Sequence, residues 1–492
     1  MSSPPAGHLS KSRFTTGLQC HKLLWWRVHD REAPELVAAP EQQAVFDIGH
    51  LVGERAQGEF AGGVLVDAPY DDFATRVART RAAMASGALA IFEASFFEDD
   101  IFVAVDVLER TPRGWVLVEV KSTTKVKPQH LPDVAIQAHV LRRAGLEVER
   151  VEVMHLNRAC RYPDLSNLFT RADVTAEVDD ILNLGRTAAA QLAMLAGPRP
   201  DVRPGAQCHK PYTCAFLARC WAPAPEHHVS TLYRMGGKAA QFEAQGYTTI
   251  LDLPDDVELS WVADRQRRAV KEGRLIVEPT LREALAPLRS PYAVLDFEAV
   301  QPAIPVWQGC RPYDQVPAQF SCDVVDAAGH VVHHEWLADG GDDPRPEVAE
   351  RVVDACRGAE TVVAYNATFE GLVLRELAEA VPAHAADLTA IETRLIDALP
   401  LVRDHVYHPA FGGSFSLKAV LPALVSGMHY DDLDVAGGRA ATIELARQMF
   451  EREALSGEER ERMRSALRRY CAQDTLGVVR LLDRLNALAG GS

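Results

Sequence analysis

Carboxylate side chains occur in two patterns along this chain that could bind divalent cations. In the first half, Asp106 precedes the run Glu-Val-Lys at 119–121 by a turn and most of a strand. In the second half, Asp296 and Glu298 stand two residues apart. Side chains at i and i+2 of a strand point to the same face of a sheet. Carboxylates gathered in this way bind Mg²⁺ or Mn²⁺, and such ions promote the hydrolysis of phosphate esters.

The first pattern assigns a role to each of its residues. Asp106, Glu119 and the carbonyl oxygen of Val120 would hold the ion. Lys121 would orient or activate the attacking water and offset the charge that develops on the phosphate. Alternating charges on an exposed hairpin also produce this spacing without any function, so the surrounding residues must decide between the two interpretations.

Neighbouring residues favour a site. Glu93 precedes Asp106 by one strand length, and Gln137 lies on the helix that is predicted to begin near Pro132. Lys125 and Lys127 add positive charge beside the pattern. We therefore include Glu93 and Gln137 among the candidate catalytic residues, with Gln137 expected to contact the substrate backbone or to hold Lys121.

The second pattern continues toward the C-terminal end. Asn366 is predicted in a turn and Glu370 in the first turn of the following helix. Tyr470 and Asp474, at i and i+4, would lie one above the other on a helix. We predict that four acids meet if the fold brings these segments together: Asp296, Glu298, Glu370 and Asp474.

The stretch between these motifs carries further polar residues. Asp397 is followed by a Gly-Gly-Ser-Phe-Ser-Leu-Lys turn that leads into a helix. Ser416 and Lys418 in this turn are either a helix cap and a solvated residue or contacts to phosphate. His405 and His408 are expected in a loop.

Four of the nine cysteines form a possible metal site. Cys20 stands far upstream, and the other three are separated from one another by five residues. One distant and three clustered thiolates can close a four-thiolate site, which suits an iron-sulfur cluster or a structural zinc ion. The remaining interpretation is a set of unrelated buried thiols. The three clustered residues are Cys208, Cys214 and Cys220, and five others are expected in the core: Cys160, Cys310, Cys322, Cys356 and Cys471.

The elements that must position these residues alternate between strands and helices, which predicts an α/β protein. Strands are predicted in GGVLVDA, IFVAVDVLER, GWVLVEVKS, YAVLDFEAV, AQFSCDVVD, HVVHHEWLA and TVVAYN. Pro-rich breaks place the first boundary near residue 225. The predicted domains are 1–225, a small helical segment 226–288, and 289–492.

The first half resembles the RecB-like branch of the PD-(D/E)xK nucleases, which have a restriction-endonuclease-like fold. That branch carries a Gln motif after the E-x-K pair and a histidine on its first core helix. Here FDIGHLVGERAQ offers His50 and Glu54, and Glu54 is favoured as an auxiliary metal ligand over His50, which is equally a surface residue. The cysteine pattern resembles the 4Fe-4S staple of such nucleases, which implies that Cys20 and the cysteine cluster bind the cofactor.

The second half resembles the DEDDy exonucleases of the ribonuclease H-like fold. The resemblance implies that the four acids hold two metal ions, that Tyr470 positions the attacking water, and that cleavage runs from 3′ to 5′. In those families the helix acid is Asp, whereas Glu370 stands here. The fused arrangement resembles bacterial RecB-like proteins that join both domains, and the segment containing AQGYTTILDLP is similar to helix-hairpin-helix units or is a rigid spacer.

Composition sets the remaining expectations. The formal charge is −16, so any binding of nucleic acid must depend on local basic patches. No stretch is apolar for long enough to span a membrane, so a cytoplasmic protein with no membrane partner is expected. The predicted function is a metal-dependent nuclease with two centres that acts on single-stranded DNA or DNA ends, and DNA repair and phage defence are the candidate settings. The alternatives are a nucleic-acid-binding or assembly subunit with inactive centres, and a nuclease that processes RNA.

Overall fold

The computed structural model describes residues 7–430, 432–433 and 437–490. Two compact units make up the chain. The first comprises Met1–Pro223 together with Pro302–Asp314, and the second comprises Ala224–Gln301 together with Gln315–Ser492. Both units combine helices with β-sheet, so the predicted α/β class is confirmed at this level.

The first unit contains one large sheet and the helices around it. Its strands are β1 (Leu9–Ser10), β2 (Val64–Leu65), β3 (Ala90–Glu98), β4 (Ile101–Arg110), β5 (Trp115–Lys121), β6 (Val148–Leu156) and β7 (Phe169–Asp173). Its α-helices are α1 (Lys11–Gln19), α2 (His21–His29), α3 (Pro40–Gln57), α4 (Phe73–Ala85), α5 (His130–Arg143), α6 (Thr175–Asp179), α7 (Leu184–Leu195) and α8 (Leu217–Cys220).

The strand order of this sheet is β2-β3-β4-β5-β6-β7, with β1 paired to β4. Strands β3, β4 and β5 form an antiparallel meander. The helix α5 then returns the chain so that β6 runs parallel to β5, as a crossover connection requires. The apolar side of α5 packs on the sheet through Val134, Ile136 and Leu141, all fully buried.

Strands β4 and β5 separate where the predicted site begins. They pair only from Val107 opposite Val118 to Arg110 opposite Trp115. At the other end of β4, Ile101 and Phe102 pair with β1 instead. Because β1 leads directly into α1, the first residue of that helix is placed beside the opening between the two strands.

The predicted strand IFVAVDVLER is confirmed as β4, with the same bounds. The predicted strand GGVLVDA is reduced to the two residues of β2. Both residues of β2 are exposed, so burial contributes little to extending this strand. The helix predicted near Pro132 begins at His130, which is compatible with proline in the first helical turn.

The second unit is built around a five-stranded sheet. Its strands are β8 (Ile276–Val277), β9 (Tyr292–Val300), β10 (Val316–Val325), β11 (Val331–Leu337), β12 (Thr361–Ala364), β13 (Leu395–Asp397) and β14 (Val406–Tyr407). Its α-helices are α9 (Gly236–Ala244), α10 (Trp261–Glu272), α11 (Leu281–Leu285), α12 (Arg345–Ala355), α13 (Thr368–Ala380), α14 (Ala385–Thr393), α15 (Leu399–Arg403), α16 (Leu417–Leu424), α17 (Gly438–Phe450) and α18 (Gly457–Gly490).

The order of the five strands is β11-β10-β9-β12-β13. Strands β9, β10 and β11 are antiparallel neighbours, and β12 and β13 run parallel to β9. The two other strands, β8 and β14, form a separate antiparallel pair. The predicted strand YAVLDFEAV coincides with β9, which lies at the centre of the sheet.

The two faces of this sheet differ in character. One face carries Leu295 and Phe297 of β9, which pack against apolar residues of α12, α13 and α14. The other face carries Asp296 and Glu298, which lie opposite Ser321 and Gln319 of β10. Helix α18 crosses this second face, where Gln319 donates to the Leu467 carbonyl and the Ser321 and Thr475 hydroxyls hydrogen-bond at 2.7 Å. Strand alternation therefore places both acids under α18.

The segment 226–288 does not form a unit of its own, which differs from the predicted division. It clusters with the second unit because β8 pairs with β14 and because Arg265 donates to the carbonyls of Arg403 and Asp404. Tyr233 belongs to this segment, and its ring centroid lies 5.0 Å from that of Phe415.

The segment Pro302–Asp314 belongs to the first unit, although the sequence division placed it in the C-terminal domain. The hydroxyl of Tyr313 donates to the carbonyl of Ser122 at 2.6 Å. Backbone hydrogen bonds join Tyr162 to both Gly309 and Cys310. Such contacts are made in space and carry no signal in the local sequence.

A helix that spans a bilayer must be both long and apolar. Within residues 7–430, 432–433 and 437–490, no helix is long and apolar enough to do so.

Candidate functional site

The first acid pattern comes together at the opening between β4 and β5. The Oδ2 atom of Asp106 accepts the backbone N–H of Val120 at 2.7 Å, where the strands no longer pair. Glu119, on β5, is 1% exposed. Asp106, Glu119 and Lys121 therefore lie together, as their spacing predicted.

Lys11, which the sequence did not indicate, completes this cluster. Its Nζ lies 2.8 and 3.2 Å from the two carboxylate oxygens of Glu119 and 3.8 Å from Oδ1 of Asp106. Lys11 is the first residue of α1, and the pairing of β1 with β4 brings it here. The ammonium thus lies between the two carboxylates that were predicted to hold a metal ion.

Lys121 is held by two acids. Its Nζ lies 2.6 Å from Oε1 of Glu119 and 2.7 Å from Oδ2 of Asp133. Asp133 lies on α5, four residues before Gln137 and on the same helix face. That spacing was the available signal for Asp133, whereas Lys11 lies 108 residues from Glu119 and had none.

Gln137 has a different role from the two that were predicted. It is fully buried, and its Nε2 donates to Oε2 of Glu119 at 2.8 Å and to the Asp133 carbonyl at 3.1 Å. The prediction that it contacts substrate or Lys121 is wrong, because an amide N–H group needs an acceptor and the carboxylate of Glu119 provides one. Gln137 positions Glu119.

The other predicted residues of the first centre lie around it. Glu93 has a φ of 56°, a strained value within a strand, and its carboxylate pairs with Arg76 at 3.2 Å. It contributes to raising the pKa of Asp106. Lys125 is exposed and Lys127 is half-buried.

Glu54 and His50 are on the outer side of α3. Both are exposed on α3, whereas Val52 and Ala56 of the same helix are fully buried and pack in the interior of the unit. Residues two positions apart on a helix project to nearly opposite sides. Among the described residues, no ion pair or hydrogen bond joins the Glu54 side chain to the acids, and its role as an auxiliary ligand stays a prediction.

The charges of the first centre are balanced by its lysines. Burial and the neighbouring Glu119 raise the pKa of Asp106 to about 7. Burial alone would raise the pKa of Glu119, but Lys11 and Lys121 outweigh it and hold that pKa well below its usual value. Glu119 is consequently ionised and paired, and a metal ion would have to displace Lys11 to reach both carboxylates.

The four predicted cysteines line one pocket of the first unit. Cys20 caps α1, and Cys208, Cys214 and Cys220 approach it from the segment between α7 and the end of α8. Burial raises the pKa of Cys214, and the three other cysteines raise it further. The ring of Trp26 and the side chain of Leu23 also line the pocket.

The spacing of the sulfurs bears on which metal would fit. In a tetrahedral zinc site each zinc–sulfur distance is about 2.3 Å, so the sulfurs of three or four thiolates lie about 3.8 Å apart. Among the described residues, no three of these sulfurs lie within 4.8 Å of one another. A cluster with several irons holds each thiolate on a different iron, so it accepts more widely spaced sulfurs.

The second acid pattern forms a tight group. Oxygens of Asp296, Glu298 and Asp474 all lie within 4.8 Å of one another, and in the part of the chain that the structure describes this is the one such group of acids, histidines or cysteines. The central strand β9 supplies the first two acids, and α18 supplies the third. Their convergence agrees with the predicted spacing.

Glu370 lies near this group, on the first turn of α13, but is not one of its three members. It is 4% exposed, and its Oε2 has no hydrogen-bond partner. Burial, followed by the nearby Asp397, raises its pKa to about 7. Its charge in turn raises the pKa values of Asp296 and Glu298.

The three grouped acids repel one another in a buried place. Burial, and then Asp474 and Glu370, raise the pKa of Glu298 to about 8. The same causes raise the pKa of Asp296 well above its usual value. Burial raises the pKa of Asp474 to about 6. Hydrogen bonds from the hydroxyls of Tyr430 and Tyr470 limit this increase.

Two tyrosines stand beside Asp474. The hydroxyl of Tyr430 donates to Oδ1 of Asp474, and the rings of Tyr430 and Tyr470 are 6.3 Å apart. The Nζ of Lys418 lies 5.1 Å from both ring centroids, and its charge lowers the pKa values of Glu298 and Asp474. Burial and Asp474 raise the pKa of Tyr470, so its hydroxyl is a donor rather than a base.

Cys471, predicted as a core residue, is buried and also contacts the acids. Its Sγ–H donates to Oδ2 of Asp296 at 3.3 Å. Its position three residues before Asp474 on α18 was the only sequence signal for this contact, and Tyr430 had none. Neither the contact of Cys471 with Asp296 nor that of Tyr430 with Asp474 was predicted from the sequence.

The remaining polar residues of this region contact neighbouring parts of the chain. Oδ1 of Asp397 accepts the N–H groups of Asn366 and Leu399 and so fixes the turn before α13. Ser416 is the N-cap residue of α16, although its side chain makes no capping hydrogen bond. The predicted loop histidines lie just before and after the short strand β14: His405 contacts Thr280, and His408 caps the turn Pro409–Phe411.

The donor set of the second centre suits a hard divalent cation. It offers several carboxylate oxygens, which Mg²⁺ and Mn²⁺ prefer. The unpartnered Oε2 of Glu370 is a buried acceptor that lacks a positive partner. A bound cation would relieve the repulsion that raises the pKa values of these acids.

Comparison with known proteins gave one finding. Residues 293–416 match a family profile described as "Domain of unknown function (DUF2779)". The matched range includes Asp296, Glu298 and Glu370 but stops before Asp474. No curated protein matches the chain.

Proposed function

We propose that this chain is a metal-dependent nuclease that hydrolyses phosphodiester bonds of DNA. The single observation that carries the proposal is the group formed by Asp296, Glu298 and Asp474, whose oxygens converge within 4.8 Å from positions 178 residues apart in the chain. Buried acids that repel one another are costly to fold unless a cation or protons neutralise them. The second unit holds the better supported of two centres.

The folds support this proposal. In the second unit, a mixed five-stranded sheet carries two acids on its central strand, and a C-terminal helix carries the third, in agreement with a ribonuclease H-like exonuclease domain. In the first unit, an antiparallel meander followed by a helix and a parallel strand agrees with a PD-(D/E)xK domain. We therefore keep both fold assignments as part of the proposal.

The residues of the second centre have separate tasks. Asp296, Glu298 and Asp474, with Glu370 nearby, would hold Mg²⁺ or Mn²⁺, which supplies electrophilic stabilisation of the phosphate and a more acidic water. Tyr470 keeps its proton and can donate a hydrogen bond to the water that attacks. Tyr430 donates to Asp474 and fixes the direction of that carboxylate.

The cysteine pocket belongs to the same proposal. The four cysteines are shared between the start of the first unit and its end, so a bound 4Fe-4S cluster would fasten the two ends together. A structural zinc ion, which four cysteines also suit, is the alternative occupant. The cluster would be structural, because the pocket contains none of the acids of either centre.

The test is cleavage of labelled DNA and RNA oligonucleotides of matched sequence in Mn²⁺. The wild-type protein should cut, and Asp296→Asn should lose on the order of a hundredfold in rate, because a misplaced ligand costs that much. Asp354→Asn, an exposed acid on α12, is the matched control and should cut at the parental rate. If the variant lacking both Asp106 and Asp296 cut as fast as the parent, the proposal would be wrong.

A second candidate function is favoured by one observation. Lys11 lies between Asp106 and Glu119 and pairs with both oxygens of Glu119. A first centre closed in this way would serve binding or assembly, and only the second unit would cut. Asp106→Asn would then leave all cleavage intact while Asp296→Asn abolished it.

A further inference from the structure

A pocket lined by arginines lies in the second unit, apart from the acid group. It is formed by α17, the first half of α18 and the residues after β11. Four guanidinium groups line it, and only two carboxylates, those of Asp339 and Glu461, do so. The arginines are Arg452, Arg460, Arg464 and Arg468. Such a concentration of positive charge is unusual in a chain whose formal charge is −16.

The charges of this pocket are only partly paired. Asp339 is shared, with an oxygen 3.1 Å from Arg464 and another 4.0 Å from Arg452. Arg468 pairs with Glu335 at 3.5 Å. Among the described residues, no ion pair to Arg460 is found. The carboxylate of Asp339 is thus shared by Arg464 and Arg452, and Arg460 has no carboxylate partner among the described residues.

Unpartnered polar atoms point to a missing ligand. The Nε atom of Arg460 is buried and has no hydrogen-bond acceptor. The Nε atom of Arg468 is also buried, and its ion-pair partner, Oε1 of Glu335, lies 3.5 Å away without forming a hydrogen bond. Gln448, which is 2% exposed and lines the same pocket, has an Oε1 with no donor. Buried donors are usually paired, so the two arginine Nε donors indicate that a ligand with acceptor oxygens belongs in this pocket. The Oε1 atom of Gln448 is itself an acceptor and would not bind an anion.

Electrostatics agree with this indication. Burial lowers the pKa of Arg464. Asp339 and Glu461 raise this pKa, whereas Arg468 and Arg452 lower it. Because the pKa of Arg464 is lowered overall, the two acids do not compensate these guanidinium groups for the water that is lost on burial. An anion with several oxygens would satisfy them, because guanidinium groups bind phosphate through paired hydrogen bonds.

The position of the pocket relates it to the acid group. Arg460, Arg464 and Arg468 repeat every four residues and so share one face of α18. Asp474 lies six residues beyond Arg468 on the same continuous helix, which is about 9 Å along the axis. A strand whose end reaches the acids would bring its following phosphates over this part of the helix.

We propose that the arginine pocket binds the phosphodiester backbone of the nucleic-acid strand that is cut at the acid group. This inference rests on the proposed function and names where the substrate is held. Arg460 and Arg468 would contribute to the affinity for the strand, whereas the acids would carry out the hydrolysis. Backbone phosphate is common to DNA and RNA, so the pocket by itself does not select between them.

The experiment measures binding without cleavage. Fluorescence anisotropy of labelled 15-nucleotide dT and rU strands is recorded with the full-length protein in chelator, over a range of salt concentrations. Arg460→Ala/Arg468→Ala should raise the Kd at least tenfold. The slope of log K against log salt should fall by about 1.4, because each phosphate contact to a single strand contributes about 0.7.

A matched control lies on the other side of the same sheet. Arg351→Ala/Arg357→Ala removes two exposed arginines of the second unit and should leave the Kd unchanged. Arg460→Lys/Arg468→Lys keeps the charge and should restore most of the salt dependence. Equal loss in the dT and rU arms supports backbone binding, whereas loss confined to one arm would overturn it.

The outcome also separates this inference from the proposed function. A wild-type protein that binds strands in chelator but never cuts them in Mn²⁺ would refute the nuclease and leave the arginine pocket supported. A protein that cuts, while the double alanine variant keeps the parental Kd and KM, would refute the pocket and leave the nuclease. Loss of affinity with an unchanged kcat is the result we expect.

Discussion

Single residues distinguish the two acid groups by how their charge is balanced. In the first, Lys11 and Lys121 lie within 3 Å of Glu119 oxygens and keep that carboxylate ionised. In the second, mutual repulsion and burial raise the pKa of Glu298 to about 8. The second group therefore gains more from a divalent cation, whereas the first already contains its cations.

Lys11 provides a direct test of this difference. Replacing it with alanine removes the ammonium that occupies the space between Asp106 and Glu119, so we expect Mn²⁺ to bind the first centre at least about tenfold more tightly, or about 1.4 kcal/mol. Titration followed by electron paramagnetic resonance, in an Asp296→Asn background, isolates this centre. Lys125→Ala, which removes an exposed charge nearby, is the control. Weaker Mn²⁺ binding in Lys11→Ala would show that Lys11 instead positions the ligands.

At the scale of elements, α1 joins two sites of the first unit. The helix begins at Lys11, in the first acid group, and its C-cap residue is Cys20, in the cysteine pocket. Nine residues of helix span about 14 Å. A short rigid element therefore fixes the distance between Lys11 and the predicted cofactor ligand.

The cysteine pocket leads to a prediction about colour and stability. Protein purified without oxygen should be brown and contain iron. Cys214→Ser should lose the colour and unfold at a lower temperature, because the proposed cluster would join Cys20 to the cysteines at 208–220. Absorbance and iron content are the measurements. Cys160→Ser, a buried thiol outside the pocket, should stay brown. Colourless wild-type protein that contains zinc would contradict the assignment.

Helix α10 shows how a buried charge can hold elements together. Arg265 is fully buried, and its guanidinium donates to the carbonyls of Arg403 and Asp404, the last residue of α15 and its C-cap. Gln266, the next residue, hydrogen-bonds the backbone of Tyr233 and Thr231. These contacts explain why segment 226–288 is part of the second unit.

Removing the buried guanidinium should therefore be costly. Arg265→Ala leaves two carbonyls without donors and should lower the free energy of unfolding of the second unit by about 3 kcal/mol. Arg268→Ala, on the same helix but half-exposed, should lower it by under about 1 kcal/mol. Urea unfolding compares the two. Equal effects would mean that Arg265 has no special role in holding the unit together.

At the scale of the whole molecule, the chain consists of two compact units with separate sites. Unfolding by heat should then show two transitions rather than one. Mn²⁺ should raise the transition of the second unit, and Asp296→Asn should abolish that increase. Calorimetry with and without chelator makes the measurement, and a single transition that Mn²⁺ does not move would contradict it.

The same unit should respond to pH in a defined direction. In the folded state the pKa values of Asp474, Glu370 and Glu298 are raised to about 6, 7 and 8 from ordinary values near 4. Between about pH 4 and pH 8 the folded state therefore holds more protons than the unfolded state, so its stability without metal should fall as pH rises. Mn²⁺ binds the ionised carboxylates, so its stabilising effect should grow over the same range. Calorimetry at pH 5.5, 7 and 8.5 tests both trends, and Glu298→Gln should weaken them.

The sequence by itself determined the local elements and part of each site. Strand alternation placed Asp296 beside Glu298 and Glu119 beside Lys121, because neighbouring same-face positions depend only on the backbone period. The strands β4 and β9 were predicted with their observed bounds. The pairing of Tyr470 with Asp474 likewise followed from helix geometry.

Only the tertiary structure decided which distant residues complete the sites. Lys11 reaches Glu119 because β1 pairs with β4, and Tyr430 reaches Asp474 from another segment. The packing of α5 on the sheet brings Gln137 to Glu119, and the packing of α3 leaves Glu54 exposed. Ion pairs and buried hydrogen bonds across a hundred or more residues depend on the folded path of the chain, so no local period in the sequence encodes them.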